Sequence, residues 1–258
     1  MQETDINLIT DAIKGAGRIA SRYSGATAQS WEKPGGAGPV TEADIAVNDY
    51  LQNALLSARP DYGWLSEESE DNGDRLSRDT VFVVDPIDGT RSFKEGSRTW
   101  AHSVALVYKG RVLAGAIYLP LRELLYTATA GKGAFLNGTP LNVSARETLD
   151  GADILATRPV MAETNWPRGV PGFQRSHRPS LAYRLGLVGE GRFDAMLTLR
   201  PTWEWDVAAG AIIVNEARGI CTDRNGSELR FNNQTPKLDG MIASGATLHG
   251  LLMGALQR

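Results

Sequence analysis

The chain has 258 residues, 42% of them hydrophobic and 22% charged, with a net charge of −3. That length suffices for one large domain, 1–258, in which an N-terminal half (1–150) and a C-terminal half (151–258) share a core. The composition is that of a soluble globular protein, and with no run of Lys or Arg it excludes the footprint of a nucleic-acid polymer binder.

No stretch approaches the roughly 18 apolar residues of a membrane span. The opening MQETDINLIT is acidic and polar where a secretory leader would be basic and then apolar. Cys221 is the only cysteine, so no intrachain disulfide forms, which fits a reducing cytoplasm.

In chain order, Ile6, Ile9, Ile13, Ala16 and Ile19 recur at helical intervals and predict a helix over residues 5–23. Residues 25–39, with Gly25, Pro34, Gly35, Gly36, Gly38 and Pro39, read as a flexible loop long enough to suggest a function. Residues 41–58 read as a second helix, opened by Thr41 and Asp44 in capping-box spacing. Val81 to Val84 is a buried strand ending at Asp85-Pro86. Strands follow over 103–108, 112–118 and 123–128, with Gly131-Lys132-Gly133 as a turn between strands. A helix over 180–188, a strand over 193–199 and a helix over 206–217 come next. Strands near 220–222 and 241–243 and a helix from Thr247 close the chain. The interleaving lacks strict βαβ alternation and predicts an α+β fold of layered helices and mixed sheets.

The chemistry concentrates in Asp85-Pro86-Ile87-Asp88-Gly89-Thr90. Two carboxylates end an apolar strand, with Pro86 stiffening the backbone between them. Asp-Gly is also a hairpin signal. Residues 91–96 do not alternate like a returning strand, however, and fit a short helix ending at Gly96. Gly89 and Thr90 would then place amides at a helix start, an anion site beside a cation site. Leu65-Ser66-Glu67-Glu68-Ser69 offers adjacent acids, which on their own suit a solvated surface. Asp206, before an apolar helix, is on its own simplest as a helix cap, and Asp44 as the return partner of its capping box. His102, His177 and His249 are scattered and read as structural. There is no G-x-S-x-G elbow and no P-loop.

In combination these segments resemble the inositol monophosphatase superfamily of lithium-sensitive, magnesium-dependent phosphatases. Val40-Thr41-Glu42-Ala43-Asp44, the Ser66-Glu67-Glu68 segment, the D-P-I-D-G-T run and Trp205-Asp206-Val207-Ala208-Ala209-Gly210 follow in the family's order. The resemblance implies an α-β-α-β-α sandwich. It also implies two or three Mg2+ ions held by Glu67, Asp85, the Ile87 carbonyl, Asp88 and Asp206. Gly89 and Thr90 would donate amides to the phosphate, and Thr90 with Asp44 and Glu67 would orient and deprotonate the attacking water. Lys33 stands where the family has a lysine on a mobile loop over the site. Magnesium prefers oxygen ligands and retains water, so no side-chain nucleophile is required. The implied partner is a small phosphorylated metabolite, and a homodimer is left open. A non-catalytic regulator on the same fold, and a metal-independent carbohydrate hydrolase with paired acids, are the alternatives of other classes.

Within the superfamily the chain looks more like the 3′(2′),5′-bisphosphate nucleotidases than the inositol-1-monophosphatases. Pro201-Thr202-Trp203-Glu204-Trp205-Asp206 resembles their P-T-x-E-W-D, and Val40 to Ala46 resembles their V-T-x-A-D-x-A. The segment from Ser180-Leu181-Ala182-Tyr183-Arg184 to Gly191 resembles their S-L-K-F-C-L-V-A-E-G. Seven residues before Asp206, where the inositol branch carries a glutamate for ring hydroxyls, stands Leu199. Arg200 beside it either faces a second phosphate or is a solvated surface residue.

Overall fold

The computed structural model describes residues 3–23, 28–33, 35 and 38–256. Its elements stack as α-β-α-β-α. The first layer is the helix pair α1 (Glu3–Ala20) and α2 (Glu42–Ala58). Ile9, Ile13 and Ala16 of α1 and Val47, Leu51 and Leu55 of α2 are buried in one cluster with Phe82, Val84, Val104 and Leu106. At its start α2 carries the expected capping box: Thr41 Oγ1 accepts from the Asp44 amide, and the Asp44 carboxylate accepts from the Thr41 amide.

The second layer is a seven-stranded sheet in the order Gly63–Ser66, Thr80–Asp88, Ala101–Tyr108, Arg111–Leu119, Leu124–Thr129, Gly133–Leu136, Thr139–Pro140. The first two strands are parallel and every other neighbour is antiparallel. The unbroken apolar run Val81 to Val84 is explained by burial on both faces: Phe82 and Val84 meet the α1/α2 cluster, Val81 and Val83 the cluster opposite.

A short helix, α3 (Thr90–Lys94), follows the central strand. The third layer is α4 (Leu181–Gly189) with α5 (Glu204–Glu216), packed between the two sheets. The fourth is a five-stranded sheet in the order Gln174–Ser176, Asp153–Ala156, Ala195–Thr198, Met241–Ser244, Ile220–Thr222. The fifth is α6 (Ala246–Leu256), whose Leu248 and Leu252 cover Ile154, Leu197 and Ile242. Among the described residues no helix is long and apolar enough to cross a membrane.

Three expectations are revised. The stretch read as a loop over 25–39 contains an antiparallel pair, Ser30–Glu32 with Pro39–Thr41, while Gly25, Pro34 and Gly36 lie outside the described residues. The strands Gly63–Ser66 and Asp153–Ala156 were absent from the sequence reading; each has only four residues, too few for a period to show. The helix expected from Asp206 begins at Glu204, with Trp203 as its N-cap.

Position 210 shows how tightly α5 is seated. A Cβ on Gly210 would stand 2.3 Å from Leu185 Cδ1 and 2.4 Å from Leu185 Cβ on α4. Alanine would gain about 1 kcal/mol of helix propensity and lose more to overpacking. Gly210→Ala is therefore expected to lower Tm by roughly 2–6 °C. An unchanged or higher Tm in a calorimetric scan would show that the two helices have room to part.

Candidate active site

The central strand Thr80–Asp88 carries two acids whose placement depends on a bulge. Asp85 lies opposite Ser103 and Asp88 opposite Ala101, so three steps on one strand match two on its neighbour. In a regular strand residues three apart point to opposite faces. The extra residue resets the alternation, and both carboxylates share the face of Ser103 and Ala101. That face looks toward α5, where Ser103 Oγ donates to the Trp205 carbonyl at 3.2 Å. Asp206, the third residue of α5, therefore meets the strand acids, and it is not the helix cap.

Carboxylate oxygens of Glu67, Asp85 and Asp206 lie within 4.8 Å of one another. Asp85 Oδ1 is buried without a hydrogen-bond partner. Burial first, then repulsion from neighbouring acids, pushes Asp85 and Asp206 well above the ordinary carboxylate range. An all-oxygen donor set with an orphaned buried carboxylate oxygen fits a hard divalent cation. Asp88 joins by charge but stands outside that triad of oxygens. Its Oδ2 accepts from Ser180 Oγ at 2.7 Å and from the Ala182 amide at 2.6 Å, at the start of α4. Burial raises Asp88 to about 6 against those bonds.

Glu67 and Glu68 are not a solvated pair. The Lys33 ammonium bridges them at 2.7 and 2.6 Å, and the Glu68 side chain is only 5% exposed. Burial raises Glu68 to about 7. Lys33 is thus placed against the acid cluster, held by its own amide donating to the Gly38 carbonyl.

Asp44 serves two partners, so the two readings of it coexist. Oδ2 accepts from the Thr41 amide at 2.8 Å, which is its capping-box bond, and also from Thr41 Oγ1 at 2.5 Å. Oδ1 remains for Thr90 Oγ1, 3.3 Å away, and that hydroxyl also reaches the Ile87 carbonyl at 3.1 Å. Burial raises Asp44 to about 6. Gly89 has φ +96°, a left-handed conformation that turns the chain sharply into α3. The first amides of α3 have no carbonyl partner within the helix.

Several residues support the site, among them His102, which the sequence marked as structural. His102 is fully buried and its Nδ1 donates to the Pro86 carbonyl, fixing the peptide between the two strand acids; burial lowers it to about 4 and keeps the ring neutral. Glu204, also fully buried, accepts from the amides of Asn232 and Asn233 and from Asn233 Nδ2, so it anchors the loop ahead of the strand pair at Lys237–Leu238. In the P-T-W-E-W-D run, Glu204 is therefore a structural residue, as is Thr202, whose hydroxyl donates to the Arg200 carbonyl. Arg200 is exposed, but its charge acts on Asp206. With Leu199, Thr157, Pro159, Val160 and Asn165 it lines a cavity of about 470 Å³.

The sequence profile of the inositol monophosphatase family matches residues 1–258. An inositol-1-monophosphatase of Rhizobium meliloti is 34% identical over 234 residues, 86% of each chain. The Nus factor SuhB of Pseudomonas aeruginosa is 36% identical over 201 residues, 73% of each chain. The crystal structure of the extragenic suppressor protein suhB from Bartonella henselae superposes with a TM-score of 0.81 at 33% identity, over 99% of both chains. With the family profile matched over residues 1–258, a relative 34% identical over 86% of each chain and a solved structure superposed over 99% of both, and with an acidic cluster that could hold a cation, this chain belongs to the inositol monophosphatase family, a family of metal-dependent phosphomonoesterases.

Proposed function

We propose that this chain is a magnesium-dependent, lithium-sensitive, cytoplasmic phosphomonoesterase whose preferred substrate is a 3′(2′),5′-bisphosphate nucleotide. Glu67, Asp85, Asp88, Asp206 and the Ile87 carbonyl would hold two or three Mg2+ ions. When bound, these would acidify water and neutralise charge on the transferring phosphoryl group. Thr90 Oγ1 would accept a proton from the attacking water while passing its own to Asp44 Oδ1, the oxygen the capping box leaves free. Glu67 would help to orient that water, and the amides of Gly89 and Thr90 would face the phosphate oxygens. Lys33 would add positive charge at the entrance.

The observation that carries the substrate reading is the cavity lined by Arg200, whose charge acts on Asp206. Leu199 and Val160 give it apolar walls and Arg200 gives it a cationic rim. An apolar wall suits the face of a base and leaves the hydroxyls of a polyol without partners. The names of the relatives favour a second reading, an inositol-1-monophosphatase, and the Nus factor relative favours a regulator that does not need catalysis. Comparing kcat/KM at saturating magnesium decides. Adenosine 3′,5′-bisphosphate is expected to exceed inositol 1-phosphate by roughly tenfold or more. The reverse order would establish the inositol reading, and no turnover of either would favour the regulator.

Charge in the metal-free cluster makes stability depend on pH. Asp88 and Asp44 titrate at about 6, above the ordinary 3.8, and Asp85 is also raised. Their contribution is complete below the ordinary carboxylate range and is lost as pH rises through about 6. In chelator, Tm is expected to fall between pH 5 and 7.5, and magnesium should abolish that fall. Asp85→Asn should keep a wild-type fold in chelator, lose the stabilisation by magnesium and lower turnover by orders of magnitude. Near-normal turnover in this variant would remove Asp85 from the metal site.

Thr90→Ala is expected to lower kcat on the order of 10²-fold with little change in KM. Asp44→Asn should act in the same direction, with a loss of stability limited to that of a weakened cap, about 1 kcal/mol. If Asp44→Asn loses stability and keeps its kcat, Asp44 is a cap alone.

A further inference from the structure

The turn after the strand Gly63–Ser66 is pinned to α2. Asn48 Oδ1 accepts from Ser66 Oγ at 2.7 Å and from Ser69 Oγ at 3.3 Å, and Ser69 Oγ in turn accepts from Trp64 Nε1 at 2.9 Å. Asn48 is buried, and the Glu68 amide donates to Ser66 Oγ at 3.4 Å. Glu67 and Glu68 therefore project from a turn that a hydrogen-bond network holds in one arrangement.

The hairpin of Ser30–Glu32 with Pro39–Thr41 is fastened to α2 at its base. The Gln29 amide donates to Glu42 Oε1 at 3.0 Å, and the Glu42 amide to the Gln29 carbonyl at 3.1 Å. Toward its tip the attachment is of another kind. Among the described residues, the only hydrogen bonds between the hairpin and the 66–69 turn are those of the Lys33 ammonium, to Glu67 Oε1 and to Glu68 Oε1.

The two acceptors are not equivalent. Glu67 shares the triad of carboxylate oxygens with Asp85 and Asp206, and Glu68 is not of that group. The Glu68 side chain is also the more enclosed, 5% exposed against 25% for Glu67. Lys33 thus rests one bond on an acid of the cation site and one on an acid outside it. A divalent cation in the triad and an ammonium on Glu67 are like charges drawn to one carboxylate, and at that range they repel. An ammonium carries three donors on a flexible stem, so it can release one acid and keep the other.

We infer that Glu68 is a positioning residue: it retains the Lys33 ammonium beside the site when a divalent cation takes Glu67. Glu68 touches neither cation nor substrate and acts through the lysine alone. Without it Lys33 has a single acidic partner, and holding the hairpin down competes with binding the metal. With it, the positive charge at the entrance is kept without loss of metal affinity. The inference rests on the metal reading of the preceding section.

The test measures magnesium affinity by calorimetry, with no substrate present, at about pH 8, above the value of about 7 to which burial raises Glu68. Glu68→Gln, nearly the same in shape, should weaken magnesium binding by roughly tenfold. In a Lys33→Met background the same change should cost less than about twofold, because the competitor is gone. Equal losses in the two backgrounds would mean that Glu68 acts on the cation directly, and would overturn the inference, as would no loss in either. A crystal structure of the wild type with magnesium checks the geometry without any variant. Lys33 Nζ should stay within hydrogen-bond distance of Glu68 and leave Glu67; a lysine that still bridges both acids, or abandons both, overturns the inference. Asp85→Asn separates the two levels of the argument. Magnesium binding that Asp85→Asn abolishes and Glu68→Gln leaves untouched removes this inference alone, whereas a wild type that binds no magnesium removes the metal reading beneath it.

Discussion

Carboxylates that repel one another are held around a common point, and the surrounding fold is arranged to keep them there. Glu67 enters from the end of one strand, Asp85 and Asp88 from its parallel neighbour, and Asp206 from a helix of the next layer. Left alone, such a group would spread apart or take up protons, and burial together with mutual repulsion pushes Asp85 and Asp206 well above the ordinary carboxylate range. Each acid is therefore anchored on a rigid element. The strands are buried on both faces, and α5 is wedged against α4 so closely that Gly210 has no room for a side chain. The cations of the chain approach from outside this group: Lys33 from the hairpin, Arg184 from α4 and Arg200 from the cavity rim.

The anchoring has its own chemistry, distinct from the residues it supports. His102 holds the Pro86 carbonyl and so orients the peptide between two acids. Ser180 and the Ala182 amide take one oxygen of Asp88, leaving the other for the site. Thr41 takes one oxygen of Asp44 in the same manner and leaves the other to Thr90. In both carboxylates one oxygen is committed to structure and the other is left toward the cluster or Thr90. Such division limits rotation about the last torsion of the side chain, which is the freedom that most easily misplaces a carboxylate.

The acids of the D-P-I-D-G-T run were legible in the sequence because they end an apolar strand, and the capping box at Thr41 and Asp44 because its spacing is local. Their meeting with Asp206 was legible only through the family resemblance, since nothing local records that α5 crosses the face of a strand so much earlier in the chain. The burial of Arg184 was invisible for another reason. Within Leu181 to Val188 it looks like the polar position of an amphipathic helix, whereas both sides of α4 are buried. The hairpin at 30–41 was hidden by its glycines and prolines, which mark a turn without revealing that three residues on either side pair. Glu204 shows the opposite hazard: a residue that strengthens a motif match turned out to hold a distant loop and says little about the substrate.

The bulge between Asp85 and Asp88 turns their spacing into a matter of parity. With one more step on this strand than on its neighbour, an odd separation behaves as an even one and both acids face α5. The identity of the Ile87 side chain, buried on the α1/α2 side, does not enter that count, and it is the Ile87 carbonyl that Thr90 Oγ1 reaches. Removing or adding one residue there would do what no substitution does: it would send Asp88 through the sheet toward the α1/α2 face, separating it from Asp206 while leaving every residue type in the motif present. The chain length of this segment is as much a part of the site as the acids it carries.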